Sequence, residues 1–428
     1  MSTEEKPNFQ TYQDSNFVDY PRNEKEVSKF IRQYYKSSLP VELIGSGSKI
    51  QIGKQLQSGK TINFSKINGI VEYLPHALYI KVKACTPIEK IEEELKKNNQ
   101  QLAFEPIDFG YIFKGKSNYG TAAGHVACNF SGPRRFKVGS LRDHLLGFRG
   151  VNGKGEIIKS GGVVVKNVTG YDLSKLISGS FGTLVALTEL TFKVLPLPEE
   201  NTTLVIHNLK LENSLNILNQ AVSSSNDVSG AVFLSDETGE GGCVMNVSKT
   251  FKLNDLRYGG TLTAIRIEGS KDSIEERTKN LLYELQLIKD YEISILETYQ
   301  STIFWNKIKN LEVFSSTKNN IFRIVVPPSK CMQLLYQLSS YKLKYYVDWG
   351  GALVWVEAYE LSEGLFDSIR NKVLRLEGYI TMIKFSEHLP SVEEVFTINR
   401  DRFIISQNIK KSFDPKRILN PGKMYTGI

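Results

Sequence analysis

The stretch KNVTGYDLSKLISGSFGTLVALTELTFKV, Lys166 to Val194, constrains the chain more than any other. It holds a helix, a glycine turn and a strand in succession. Asp172 opens a short helical segment whose Leu173, Leu176 and Ile177 share one face. Gly179, Ser180, Gly182 and Thr183 break it. From Leu184 to Val194 apolar and polar residues alternate, which predicts a half-buried strand. Glycine lacks Cβ, so such a turn lets a ligand approach the backbone closely. The same pattern also suits a tight connection with no ligand.

Two further small-residue runs raise the same question. Pro40 to Lys49, PVELIGSGSK, reads as a strand running into Gly45-Ser46-Gly47-Ser48. Successive backbone N–H groups there can form a concave anion site, with the hydroxyls as extra donors. A plain hairpin loop fits equally well. Glu105 to Arg135 places Gly120, Ala122, Ala123 and Gly124 along a turn and helix start. A ligand could lie against that backbone, or the helix could simply pack tightly on a neighbour. His125 lies inside this run, facing either a ligand or the core.

The rest of the first half alternates short strands with helices. A helix from about Glu24 carries Val27, Phe30, Ile31 and Tyr34 on one face. Thr61–Phe64, Gly69–Leu74 and Tyr79–Ala84 read as strands. Thr86 and Pro87 suit the cap and first position of a helix burying Ile88, Ile91 and Leu95. Phe148–Val151 and Glu156–Lys159 form a predicted hairpin. KVLPLPEEN, Lys193 to Asn201, has the composition of a linker. Beyond it, strand, helix, strand, helix recurs, which predicts an α/β cap with an antiparallel, ferredoxin-like sheet. Gly239, Gly241 and Gly242 sit in an irregular or inserted loop around 236–260 with no phosphate-motif ending.

Two of these runs and the chain's last part resemble the FAD-binding family of the vanillyl-alcohol oxidase, or PCMH, type. GYDL followed by GSFGTLVALTE resembles its flavin signature, with Phe181 where many catalytic members carry Glu. Pro106, Gly120-Thr121, Gly124 and Ala127 to Gly132 resemble its proline, ATIGG-like and AxNxxG segments. FDPKRILNPGKMY, Phe413 to Tyr425, resembles its carboxyl end. GPRR, SLRDHLLG, KNVTGYDLSKL and DWGGALVW (Asp348 to Trp355) narrow the resemblance to the subgroup of FAD-binding E subunits of bacterial glycolate oxidases.

The resemblance implies an α+β fold: a two-lobed FAD-binding domain, then the cap. The expected divisions are a flexible 1–19, the FAD domain at 20–198, the cap at 199–400 and a segment 401–428 returning to the flavin domain. FAD contacts are expected at Gly45, Ser46, Gly47, Ser48, Lys49, Pro106, Gly120, Thr121, Ala122, Gly124, His125, Asn129, Ser131, Gly132, Gly182, Leu184, Val185 and Asn420. Lys49 stands where some relatives carry a flavin-linking histidine, which implies non-covalent FAD. Arg134, Arg135 and Arg142 could pair carboxylates or phosphates, or form a solvated basic loop.

Catalytic hydroxy-acid dehydrogenases of this family add paired metal-binding histidines in the cap. The five histidines here, His76, His125, His144, His207 and His388, have no ligand-pair spacing. Glu387-His388 reads as a surface loop, and no catalytic base stands out. Nor do the four cysteines, Cys85, Cys128, Cys243 and Cys331, form a zinc or iron–sulfur set. The resemblance therefore implies a small 2-hydroxy-acid substrate and two partners: a catalytic flavoprotein D subunit and an iron–sulfur F subunit. A self-sufficient D-2-hydroxy-acid dehydrogenase and a scaffold that has lost flavin are the alternatives.

The 54 basic and 46 acidic residues are spread along the chain, a solvated surface with no sign of nucleic-acid binding. MSTEEKPNFQ has no signal-peptide core, and no run reaches 18 apolar residues. A cytoplasmic location is expected, with any contact to the membrane's inner face made through partners or a surface patch.

Overall fold

The computed structural model describes residues 18–54, 56, 58–162, 171–235, 243, 260–286, 291–315, 317–389 and 392–428. KNVTG of the signature stretch, almost all of the flexible 1–19 segment and nearly all of the glycine-rich 236–260 insertion lie outside the described residues.

The first helix is Glu24–Ser37. Asn23 caps it: its Oδ1 accepts the Glu26 N–H at 3.0 Å, and Glu26 Oε2 accepts the Arg22 N–H at 2.8 Å. Val27, Ile31 and Tyr34, at helical spacing, are buried. They share a core with three short parallel strands, β1 (Val18–Asp19), β2 (Val41–Ile44) and β3 (Lys60–Asn63), ordered β1-β3-β2. Each such fully buried aliphatic side chain contributes about 1.5–3 kcal/mol.

The chain then adds β4 (Ile70–Leu74), β5 (Tyr79–Lys83), the two-residue β6 (Gln100–Gln101), β7 (Leu145–Asn152), β8 (Ile157–Gly161), β9 (Val185–Lys193) and β10 (Leu195–Pro196). Five of these form an antiparallel sheet, β4-β5-β9-β7-β8. The central position of β9 corrects one expectation. Its residues are buried on both faces along most of its length, so it is not half-exposed. Thr188, Thr191 and their neighbours alternate in polarity but meet protein on either side.

Two local expectations also change. The second helix is Ile88–Lys96: Pro87 holds the cap position, so the helix begins one residue later than predicted. Thr86 does not cap it. Its Oγ1 donates to Lys83 O at 2.7 Å and accepts the Gly69 N–H at 2.9 Å, tying the strand ends together. The stretch from Lys193 to Asn201 is not a free linker. β10 pairs with β6, and the Leu197 N–H donates to Asn99 O at 2.7 Å.

The cap is one eight-stranded antiparallel sheet with two halves. The first holds β11 (Glu200–His207), β12 (Val228–Leu234), β13 (Leu262–Gly269) and β14 (Ile293–Leu296), with helices Leu211–Ser223 and Lys271–Glu284. The second holds β15 (Asn320–Val325), β16 (Leu343–Asp348), β17 (Leu353–Ala358) and β18 (Tyr379–Lys384), with helices Cys331–Leu338 and Glu363–Arg375. The order β14-β11-β13-β12-β16-β17-β15-β18 is two ferredoxin-like units joined edge to edge by β12 and β16. The architecture is α+β.

The two parts meet across a polar seam. Glu105 and Glu268 accept from Arg134 and Arg266: Arg134 Nε donates to Glu268 Oε2 at 2.8 Å, and Arg266 Nη1 to Glu105 Oε1 at 3.0 Å. Burial penalises these carboxylates, but the two guanidiniums outweigh it and hold both below the usual range, Glu268 at about 2. Arg134 is thus committed to holding cap and lobe together. Beside it, Trp349 Nε1 donates to Gly132 O at 3.0 Å.

Finally, helix Arg400–Phe413 leads a tail back onto the first lobe. The Lys410 ammonium donates to Asp414 Oδ2, Leu419 O and Thr183 O at 2.8, 2.8 and 2.6 Å. Asp414 also accepts the Ile418 and Leu419 N–H groups. The tail then lies along β2, where Asn420 N–H donates to Val41 O at 3.0 Å.

Candidate functional site

Four segments remote in sequence line one cleft that is partly open to solvent. They are the loop after β2, the helix Ala122–Cys128, the turn before β9 and the returning tail. Gly45, Ser46, Gly47, Ser48, Lys49, Thr121, Gly124, Gly182, Val185 and Asn420 all line it.

The loop is built for an anion. Among the described residues, the backbone N–H groups of Ser46, Gly47, Ser48 and Lys49 donate to no protein acceptor. Gly47 sits at φ +72°, and a Cβ there would meet nothing within 4 Å. Gly124 across the cleft has only Thr121 Oγ1 near its Cβ position, at 3.3 Å. A turn of unspent donors facing open space is an anion nest.

Two lysines add charge. Lys49 Nζ donates to Tyr119 O at 2.9 Å and to Ser48 Oγ at 3.3 Å; Lys423 Nζ donates to Ile50 O at 2.7 Å. Neither makes an ion pair among the described residues. Burial pulls the Lys49 ammonium down to about 8, against the raising fields of Cys128 and Asp108. The Cys128 thiol in the same cleft is pushed up to about 11 by burial, so it is not a nucleophile at neutral pH. A cleft with four free N–H donors and two lysines bearing only neutral partners suits a pyrophosphate.

Asn420 fixes the far wall. Its Oδ1 accepts the Leu43 N–H and its Nδ2 donates to Phe181 O, both at 2.8 Å. It therefore clamps β2 to the turn before β9. Phe181 adopts φ +51° and Gly182 φ +71° in that turn. The Phe181 ring lines the cleft and meets Phe396 edge-on at 4.9 Å between centroids.

The other sequence-predicted residues form the framework behind the cleft. Gly120, at φ +85°, gives way to Ser48 and Lys49, where a Cβ would collide with the Ser48 hydroxyl. Ala122 and Leu184 belong to the apolar core, and Pro106 is buried in the strap before Asp108. His125 is packed inward: its Nε2 lies 2.7 Å from Tyr119 O, and burial holds its pKa well below the ordinary value. Asn129 ends the helix at φ +53°, its Oδ1 accepting the Arg142 N–H. Ser131 Oγ accepts the Leu141 N–H, and Gly132 meets Trp349.

Sequence reasoning missed Ala123, Ala127, Cys128 and Lys423 as cleft residues. The first three, with Gly124, fall at helical spacing on one face, while Ala122, His125 and Val126 are buried on the other. Lys423 stands in the quoted NPGK run. Glu387 and His388 lie on an exposed turn far along the cap.

Residues 15–161 match the model of an FAD binding domain. The chain is 28% identical over 399 residues to "Glycolate oxidase subunit GlcE" of Escherichia coli, covering 93% of this chain and 96% of that protein. It is 24% identical to a D-lactate dehydrogenase of Archaeoglobus fulgidus, over 96% of this chain and 91% of that one. Among solved structures, 4-ethylphenol oxidase from Gulosibacter chungangensis superposes with a TM-score of 0.70 at 13% identity, over 96% of this chain and 89% of that one. The chain thus carries an FAD binding domain in its first part, shares the fold of this oxidase, and is similar over nearly its whole length to the E subunit of glycolate oxidase.

Proposed function

We propose that this chain is the FAD-binding subunit of an assembly that oxidises glycolate to glyoxylate. It is an FAD-dependent oxidoreductase of the hydroxy-acid dehydrogenase family. The observation that carries the reading is the cleft whose four loop N–H donors and two lysines await an anion. Gly45 to Lys49 would take the pyrophosphate, and Gly124, Ala127 and Cys128 would flank the cofactor from the helix. Gly182, Val185 and Asn420 would close the opposite wall. When bound, FAD supplies the acceptor for a hydride and can release electrons singly.

The chain's own residues hold and orient. Lys49 and Lys423 balance negative charge in a partly desolvated cleft, where such pairing is strong. Asn420 keeps the Phe181–Gly182 turn in place. The basic groups of the cleft are engaged in holding its walls: Lys49 Nζ donates to Tyr119 O and Ser48 Oγ, Lys423 Nζ donates to Ile50 O, and the Cys128 thiol is protonated at neutral pH. That supports a division of labour, with a catalytic flavoprotein D subunit and an iron–sulfur F subunit as partners. The conjunction of FAD and no cysteine set in this sequence fits electrons leaving to another chain.

The test is anaerobic mixing of the isolated, FAD-loaded chain with glycolate, followed by flavin absorbance. Slow or absent bleaching alone, with fast bleaching once co-purifying subunits are added, is expected. Fast, full bleaching of the isolated chain would move the assignment to a self-sufficient D-2-hydroxy-acid dehydrogenase.

A further inference from the structure

The seam between cap and lobe holds two arginines that the ion network does not use. Arg323 projects from β15 beside its register neighbour Trp355 on β17, on the face opposite Phe322. Phe322 meets Phe366 of the covering helix at 5.9 Å, so Arg323 and Trp355 face the first lobe. The Arg323 guanidinium carbon lies 5.0 Å from the Trp349 ring centroid, 5.7 Å from Phe130 and 5.9 Å from Trp355. Arg135 enters from the lobe and sits 4.4 Å from the same Trp349 ring. Among the described residues, neither guanidinium makes a hydrogen bond or an ion pair.

For Arg323, whose charge burial disfavours, this is unusual. Arginine stays charged, and a guanidinium withdrawn from water normally takes a carboxylate partner. Stacking on aromatic faces recovers only part of the hydration lost. Arg134 and Arg266, a few residues away, are fully matched by Glu105 and Glu268. Asp348 is the nearest acidic group on the cap side, yet its Oδ1 accepts the Trp349 N–H at 2.6 Å and makes no ion pair with Arg323. Burial pushes the Asp348 carboxyl up to about 7, so it is poorly suited to neutralise the arginines. Burial and the Arg135 charge likewise pull Arg323 down to about 9. Arg135 is exposed, so an anion could reach the pair from solvent.

We propose that Arg323 and Arg135, set against Trp349, form a binding site for the carboxylate of a small 2-hydroxy or 2-oxo acid. Each guanidinium is a planar fork that matches a carboxylate bidentately, and the two charges are near enough for Arg135 to be felt at Arg323, so one anion would relieve both. The buried rings of Phe130, Trp349 and Trp355 give the guanidiniums an apolar, water-poor backing, where an ion pair with a carboxylate is strengthened. The site stands at the joint of lobe and cap, so an acid bound there bridges both parts. The identity of the acid rests on the functional reading above; the existence of a carboxylate site does not.

Isothermal calorimetry on the FAD-loaded chain, anaerobic and in low-chloride buffer, tests this with glycolate, oxalate and the uncharged glycolamide. The wild type should bind glycolate and oxalate and ignore glycolamide. Arg323→Met should weaken oxalate at least thirtyfold, and Arg135→Gln about five- to tenfold. Arg323→Lys should fall between, because it keeps charge and loses the fork. Without ligand, Arg323→Met should melt at the same temperature as wild type or higher, since an unpaired charge is removed; its ligand-induced rise should vanish. A merely structural arginine would give the reverse: a lower melting temperature with binding kept. That result, equal binding by wild type and Arg135→Gln, or no binding of either acid at millimolar concentration would each overturn the site. Should Arg323→Met fail to fold, Arg135→Gln decides alone. Flavin content, read from the same samples, separates failure here from failure of the FAD reading.

Discussion

Replacing Asn420 by alanine removes both ends of the clamp across the cleft. The Leu43 N–H and the Phe181 carbonyl would each lose a partner held at 2.8 Å in a site with little water. A buried group left without its partner costs about 1–3 kcal/mol, so the two together come to about 2–4 kcal/mol after partial rescue by solvent. If the clamp holds the Phe181–Gly182 turn in its binding position, that loss appears as FAD affinity, about 30- to 700-fold at 1.4 kcal/mol per decade. If it serves only the fold, affinity stays and the melting temperature falls. Fluorescence titration of FAD into apo-protein, paired with a thermal melt, separates the two, and the first outcome is expected. Asn420→Asp sharpens the test. It keeps the acceptor for Leu43 but turns a carboxylate toward the Phe181 carbonyl, so it should bind FAD no better than the alanine variant. An alanine variant with unchanged affinity and unchanged melting temperature would refute the reasoning.

Acid denaturation should release free yellow FAD, because Lys49 in the loop offers no flavin-linking imidazole; colour left on the precipitated chain would contradict it. Gly182→Val should abolish FAD binding: φ +71° is strained by about 1–2 kcal/mol for a residue with Cβ, and that Cβ would lie 2.7 Å from Asn420 Nδ2. A folded variant with full flavin occupancy would remove Gly182 from the site. Asp348, raised by burial to about 7, binds a proton in the folded chain that the unfolded chain has already released between about pH 4 and 7. Stability therefore falls as pH rises through that window and levels off above it. Asp348→Asn should erase that slope and gain up to about 4 kcal/mol at pH 8 while matching wild type near pH 4, as urea melts at the two pH values would show.

The cleft was legible wherever chemistry needs a missing side chain. GSGS, GTAAG and GSFGT announce close backbone approach, and all three reach the cleft wall. The motif could not say which residues of the run face inward. In the helix Ala122–Cys128, a resemblance matched one position at a time treats Ala122, Gly124 and His125 alike, yet 3.6 residues per turn send His125 into the core and Ala127 to the cleft. The exposure of β9 was misread for a related reason: alternation reports polarity, and its threonines are covered by protein, Thr188 donating to Glu24 of the first helix. The cap's strand and helix sequence was readable, but the joining of its halves through β12 and β16 depends on only two pairs of residues. The arginines of the seam were visible as residues. Whether each finds a carboxylate is a matter of distance, and sequence spacing does not carry it.

The clamp has a consequence for how the chain is made. Leu43 and Asn420 are 377 residues apart, and Lys423 comes later still. A ribosome that has delivered the loop, the helix and the signature turn has therefore built three walls of a cleft with no fourth. Until the tail emerges, β2 has β3 on one side and nothing of the tail on the other, and Thr183 O lacks the Lys410 donor that ties the turn to the tail. The cofactor should be captured after translation, by a chain already folded through its cap. Premature termination anywhere in the cap would then leave a protein that presents its loops but retains no flavin.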